Sequence, residues 1–249
     1  MITRLKDKRL VIVGAATGIG KAVATAAVAE GARVVIADLA VDQGQATARE
    51  IGAEFTRCDV ADEASVRAMV SGAVETMGGL DGLVTNAGLQ RASALDKITV
   101  DDWDSLMAVN TRGVFLATRE AVPHLRAAGG GSIVNTSSLA GKRGGPGIAA
   151  YAASKGAVMA FTTATALELA RDRIRVNSVC PGFIDTPFNN PAIAFMGGRE
   201  EQEKIVERMV PLGRQAVPEE VAPLYVYLLS DESAYVTAQA LSVDGGVYN

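Results

Sequence analysis

Ser138, Tyr151 and Lys155 stand close together in the second half of the chain, and together they could steer a proton. The chain has a single histidine, His124, so the usual acid–base group near neutral pH is scarce. Tyr151 and Lys155 are four residues apart at the start of a helix predicted over roughly 152–171. That spacing puts both side chains on one face, about 5–6 Å apart at Cβ. A free phenol has a pKa near about 10, and a neighbouring ammonium favours its ionised form. A phenol tuned in this way can serve as general acid or base. Ser138 lies thirteen residues before Tyr151, just beyond a predicted strand. A hydroxyl there could hold a substrate oxygen and stabilise charge developing on it. Many helices carry a Y-x-x-x-K pair on their surface, so the position of this pair in the fold matters.

A second cluster, V11-I-V-G-A-A-T-G-I-G20, follows the first predicted strand and opens a helix. Gly14 suits a tight turn, Gly18 a close backbone approach to a pyrophosphate, and Gly20 close helix–strand packing. The helix N-terminus adds free N–H groups and partial positive charge. The G-x-x-x-G-x-G spacing differs from the common dinucleotide fingerprint. Asp38 ends the second strand, about 20 residues beyond these glycines. A carboxylate there would accept hydrogen bonds from the adenosine ribose and repel a 2′-phosphate. No arginine follows it, and the glycine loop has no Arg or Lys before Lys21. The pattern predicts NAD over NADP; a helix cap or surface acid is the alternative for Asp38.

Both clusters need a scaffold. Short apolar runs at Leu10–Val13, Val34–Ala37, Phe55–Cys58, Leu83–Thr85, Ile133–Thr136, Val176–Val179 and Leu241–Val243 read as strands. Most lack alternation, as strands buried on both faces of a parallel sheet do. Helical stretches are expected near 18–30, 42–51, 62–77, 101–127, 152–171 and 218–229. The βαβ order predicts one α/β domain over 1–249, a Rossmann-type, doubly wound parallel sheet of about seven strands with helices on both faces. Residues 185–215 are the least regular and are expected to form a substrate loop.

Composition narrows the function. The net charge is −4 with no basic run, which disfavours nucleic acid. No apolar run approaches the ~18 residues of a membrane span. The first residues show no signal-peptide pattern, and Cys58 and Cys180 form no metal pattern. A cytoplasmic protein with reduced thiols and no metal is expected.

The chain resembles, over essentially its whole length, the classical short-chain dehydrogenase/reductase family. The matching motifs are G14-A-A-T-G-I-G20, D59-V60, N86-A-G88, Asn110, S137-S138, Y151-A-A-S-K155, N177-S-V-C-P-G182 with Thr186, and V243-D-G-G246. The resemblance implies Tyr151 as the catalytic acid/base. Lys155 would lower its pKa and bond the nicotinamide ribose, and Ser138 would orient the substrate oxygen. Asn110 would hold a water in a proton relay. Cofactor contacts are implied for Gly14, Thr17, Gly18, Ile19 and Gly20, for Asp38 and Leu39, and for Asp59 and Val60 at the adenine. They are implied also for Asn86, Ala87 and Gly88, and for Pro181, Gly182, Ile184 and Thr186 near the nicotinamide. The family's usual spacing to the tyrosine favours Ser138 over Ser137. Homotetramers are usual in the family, built partly through the Tyr151 helix and the C-terminal helix and strand. The apolar run Val221–Leu229 fits either an interface or the core.

Three positions depart from the family pattern: Val13, Thr85 and Ala238 stand where Thr, Asn and Gly are common. His124 is expected to have a structural or surface role, Trp103 to pack in a core or interface, and the charged run 198–204 to form a solvated helix face. Phe183, Phe188, Ile193, Phe195 and Met196 fit the core, and their place in the segment after Thr186 makes some of them candidate pocket walls. Gln90, Ser93, Leu139, Ala140 and Gly145 are expected at the ligand-binding edge. The expected activity is NAD-dependent interconversion of a secondary alcohol and a ketone, on a substrate with a hydrophobic or ring part. Alternatives are a sugar or polyol dehydrogenase and a non-catalytic NAD-binding regulator. A double-bond reductase is disfavoured, because such relatives usually space Tyr and Lys more widely. An acyl-carrier ketoreductase is disfavoured by Asp38 and the acidic balance.

Overall fold

The computed structural model describes residues 3–248. Seven strands form one parallel sheet: β1 (Arg9–Val13), β2 (Arg33–Asp38), β3 (Glu54–Arg57), β4 (Gly82–Thr85), β5 (Gly131–Thr136), β6 (Ile174–Pro181) and β7 (Ala240–Val243). Their order is β3-β2-β1-β4-β5-β6-β7. The order reverses between β1 and β4, and ligands of open α/β sheets bind beyond the strand C-termini at such a point. Register delivers the site. Val13 pairs with Ala37 and Thr85, Thr85 with Asn135, and Asn135 with Ser178. Gly14, Asp38, Asn86 and Ser137 therefore leave the sheet at one edge.

β1, β2, β4, β5 and β6 are largely buried on both faces, as continuous apolar runs predict, whereas the edge strands β3 and β7 are only partly buried. Leu10 and Ile12 of β1 face one core with Val23, Ala27, Tyr225 and Leu229, from α1 (Gly18–Ala29) and α10 (Pro218–Leu229). Val11 and Val13 face the other, with residues of α3 (Glu63–Met77), α5 (Gly113–Ala127) and α7 (Ala149–Leu169). Alternate residues point to opposite sides, so one strand serves two layers. The run Val221–Leu229 thus supplies mainly core. α2 (Val41–Ile51) completes the layer beside β2 and β3.

Two stretches differ from expectation. The helix predicted over 101–127 is α4 (Val100–Met107), then a π-turn at Ala108–Arg112, then α5. Thr99 caps α4 by accepting from Asp102 N–H. The π-turn, a departure common at functional sites, carries Asn110. Trp103 is 41% exposed, so it is not core. Residues 185–215 are largely helical, with α8 (Asn190–Phe195) and α9 (Arg199–Met209). α9 buries apolar Val206 and the hydrogen-bonded amide of Gln202 and exposes its acidic face, so few buried side chains anchor a segment that is polar overall. A short helix, α6 (Leu139–Arg143), follows β5. Among the described residues no helix is long and apolar enough to cross a membrane.

Candidate active site

Tyr151 and Lys155 lie in the first two turns of α7, both buried. Lys155 Nζ is 6.0 Å from the Tyr151 ring centroid and donates to the Thr136 carbonyl at 2.8 Å. Burial pushes the phenol up to about 12, and hydrogen bonding with Ser138 offsets this in part. Burial pushes Lys155 down to about 8. The expected net lowering of the Tyr151 pKa is therefore not what the protein groups alone produce. Desolvation disfavours the phenolate, and the ammonium is turned toward Thr136.

The two serines separate clearly. Ser137 is buried and donates to the Lys155 carbonyl at 2.8 Å. Ser138 caps α6, accepting from Ala140 N–H at 3.1 Å, and sits beside the phenol. Ser138 thus has its hydroxyl directed to the Tyr151 phenol, whereas Ser137 spends its own on the main chain. Asn110 is fully buried. It accepts from Leu89 N–H at 2.7 Å and donates to the Leu89 carbonyl and to Ser154 Oγ. Both amide hydrogens are thereby engaged. A water at this position would meet the remaining lone pair of Oδ1 or the main chain.

Gly14 has φ +79°, and a Cβ there would lie 2.3 Å from Ala87 N. At Gly20 a Cβ would lie 2.0 Å from Gly14 O. No side chain caps α1, so its first N–H groups face outward. A Cβ on Gly18 would meet only the Thr186 side chain, at 3.6 Å. The glycine loop and the segment after β6 thus face each other across an opening that a Cβ would narrow. A nicotinamide dinucleotide fits this cradle: N–H donors for the pyrophosphate, and Asp38 at the ribose end. Asp38 accepts from Ala16 N–H at 2.9 Å and Ala40 N–H at 3.0 Å, so the carboxylate also holds the glycine loop in place. Leu39 beside it is 56% exposed. Asp59 turns back to Ala61 N–H, and Val60 packs over Gly113. Asn86 donates to Gly14 O at 2.8 Å and so braces the loop. Gly182 is pressed against Asp244, and Ile184 and Thr186 are buried.

Among the pocket candidates, Phe188 lies 6.1 Å from the Tyr151 ring, centroid to centroid, and Phe195 covers Gly147. Phe183 and Leu139 pack with Val206, Val210 and Val247 instead. Ser93 ties to Gly147 through its N–H, and Ala140 packs near Tyr151. Gln90 is buried, and its side-chain oxygen has no partner. His124 is in the last turn of α5, near the opposite edge of the sheet. Two of the three departures have a defined setting. Thr85 donates to Asn135 at 2.8 Å, while Ala238 takes φ +62°, a conformation that favours glycine. Sequence reasoning missed Thr136, Ser154 and Tyr225. Their only signal is a hydroxyl within an otherwise apolar element.

The fold, the glycine cradle and the Ser–Tyr–Lys cluster define a nicotinamide-dependent oxidoreductase, and the chain belongs to the classical short-chain dehydrogenase/reductase family. A family model described as enoyl-(acyl carrier protein) reductase matches residues 14–248. The chain is 39% identical to the 3-oxoacyl-(acyl-carrier-protein) reductase FabG of Thermotoga maritima, covering 98% of this chain and 99% of that one. It is 40% identical to trans-4-hydroxycyclohexanecarboxylate dehydrogenase of Sinomonas cyclohexanicum, covering 98% and 93%. It is similar to the crystal structure of levodione reductase, with a TM-score of 0.94 and 33% identity over 98% of each chain.

Proposed function

We propose that this protein is an NAD-dependent oxidoreductase that interconverts a secondary alcohol and a ketone on a substrate with a hydrophobic or ring part. The observation that carries this reading is the meeting of Ser138, Tyr151 and Lys155 at the sheet edge where Asp38 ends β2. In the reductive direction Tyr151 donates its phenolic proton to the carbonyl oxygen, and burial keeps that proton in place. In the oxidative direction Tyr151 accepts the alcohol proton, and the charge on Lys155 opposes the effect of burial. Ser138 orients the reacting oxygen. A nicotinamide held in the cradle would supply or take the hydride. Asn110 holds the 89–90 turn against α7 and borders the proton path to solvent.

Asp38 spends one lone pair of each oxygen on a backbone N–H, and a carboxylate has about four acceptor sites in all. Capacity for ribose hydroxyls remains, and its charge repels a 2′-phosphate. Phe188 and Phe195 make residues 185–215 the apolar wall. A relative named for a hydroxycyclohexane supports an alicyclic substrate. The three-residue gap between Tyr151 and Lys155 argues against double-bond reduction. Gln90, with its unpartnered oxygen, favours a second reading, a polyol or sugar alcohol whose extra hydroxyl it would accept. A non-catalytic regulator could dispense with Ser138, Tyr151, Lys155 or Asn110, and all four are present. Exposed Phe115 and Leu167 on α5 and α7 support a homotetramer; a cytoplasmic location is part of the same reading.

The test is NADH formation from NAD⁺ across aromatic, alicyclic, steroid and sugar alcohols, repeated with NADP⁺. Strong preference for NAD⁺ and for one alcohol class is expected, and Tyr151→Phe should lose at least about 100-fold in turnover. Equal use of both cofactors overturns the role of Asp38, and undiminished turnover in Tyr151→Phe overturns the mechanism.

A further inference from the structure

We propose that Tyr225, on the far helix α10, is a positioning residue for the cofactor loop. It acts through a directed chain of buried hydrogen bonds. Tyr225 is fully buried, and its hydroxyl lies 2.8 Å from Thr136 Oγ1. Thr136 Oγ1 lies 3.3 Å from Asn86 Oδ1, and Asn86 Nδ2 donates to the Gly14 carbonyl at 2.8 Å. The last bond fixes the chain's direction. A carbonyl can only accept, so the Asn86 nitrogen faces Gly14 and its oxygen faces Thr136. Thr136 has one hydroxyl hydrogen and gives it to Asn86. Tyr225 must therefore donate to Thr136. The order is Tyr225 to Thr136 to Asn86 to Gly14. It links a helix packed beneath the sheet to the turn that cradles the dinucleotide.

The chain also reaches the catalytic lysine, because the Thr136 carbonyl accepts from Lys155 Nζ. One residue at the end of β5 thus holds Lys155 through its main chain and the glycine loop through its side chain. Tyr225 holds that residue. Its ring belongs to the apolar core with Val226 and Leu229, so burying the phenol costs little once the hydroxyl has a partner.

The inference rests on the dinucleotide reading above, and its test can fail separately. The measurement is the NADH dissociation constant by fluorescence, without substrate, for the full-length protein and four variants. Tyr225→Phe and Thr136→Val should each weaken binding by about fivefold, the effect of one lost hydrogen bond of ordinary strength. Thr136→Ser keeps the hydroxyl and should bind within about twofold of wild type. The double variant Tyr225→Phe/Thr136→Val should bind no worse than Thr136→Val, because both changes cut one chain. Turnover at saturating cofactor should fall less than affinity, which general loosening of the fold would not produce. Wild-type affinity in both single variants, or additive losses in the double variant, overturns the proposal. Failure of the wild-type protein to bind NADH overturns the functional reading itself.

Discussion

The same substitution in two helices should have opposite effects. Gly72 lies inside α3 on its exposed side, and a Cβ built there meets nothing within 4 Å. Gly72→Ala should gain about 1 kcal/mol, because alanine loses less backbone freedom on folding. Gly20 lies in the first turn of α1, and its Cβ would stand 2.0 Å from the Gly14 carbonyl oxygen and 2.7 Å from Asn86 Nδ2. The first of these is backbone held in a tight turn, so it cannot yield cheaply. Overpacking of this kind costs about 1–3 kcal/mol, which cancels or exceeds the same ~1 kcal/mol gain. Gly20→Ala should therefore lose up to about 2 kcal/mol, displace the Asn86–Gly14 bond and weaken NADH binding. Urea unfolding midpoints and a fluorescence titration with NADH measure both effects. In a chain of this size 1 kcal/mol moves the melting temperature by about 2–4 °C. Equal shifts in the two variants, or unchanged NADH binding in Gly20→Ala, would refute the packing argument.

Lys155 should also leave a mark on stability against pH. In the unfolded chain it holds its proton up to the ordinary value of 10.5, but in the fold only up to about 8. Between those values the unfolded state binds more protons, so stability should rise with pH from this group. The displacement corresponds to about 3 kcal/mol across the window. Lys155→Met should flatten the rise between pH 8 and 10 in urea titrations; an unchanged slope would show that the ammonium is not buried. Tyr151, pushed up to about 12, acts in the opposite sense only above its ordinary value of 10. Both cysteines should resist a thiol reagent such as DTNB at pH 8 in the native protein and react once unfolded. Cys58 is buried and pushed up to about 11, and burial raises Cys180 as well. Rapid native labelling of either would contradict this.

The architecture was legible because its signals are local. Continuous Val/Ile/Leu runs mark strands buried on both faces, and each predicted strand is present with ends shifted by one or two residues. The shift at β3 leaves Cys58 just past the strand. The π-turn was not legible, since one extra residue in a helical turn leaves the 3.6-residue pattern almost unchanged. The segment 185–215 was read as irregular because α9 has only two buried side chains, too few to set a period.

For the site, the sequence by itself determined which groups are available. With one histidine and a Ser, a Tyr and a Lys at helical and strand-end spacing, the phenol is the group we propose for proton chemistry. A glycine turn followed by Asp38 is the dinucleotide cradle of the same proposal. Residue types and short spacings suffice to raise both. Tertiary structure alone decided how each group is held. It turned Ser137 inward to Lys155 and left Ser138 at the opening. It set burial against the Ser138 hydrogen bond at Tyr151 and engaged both amide hydrogens of Asn110. It joined Tyr225 to Gly14 across 211 positions of sequence (225 − 14). Hydrogen-bond direction and desolvation depend on every neighbour in space, and most of those neighbours are distant along the chain.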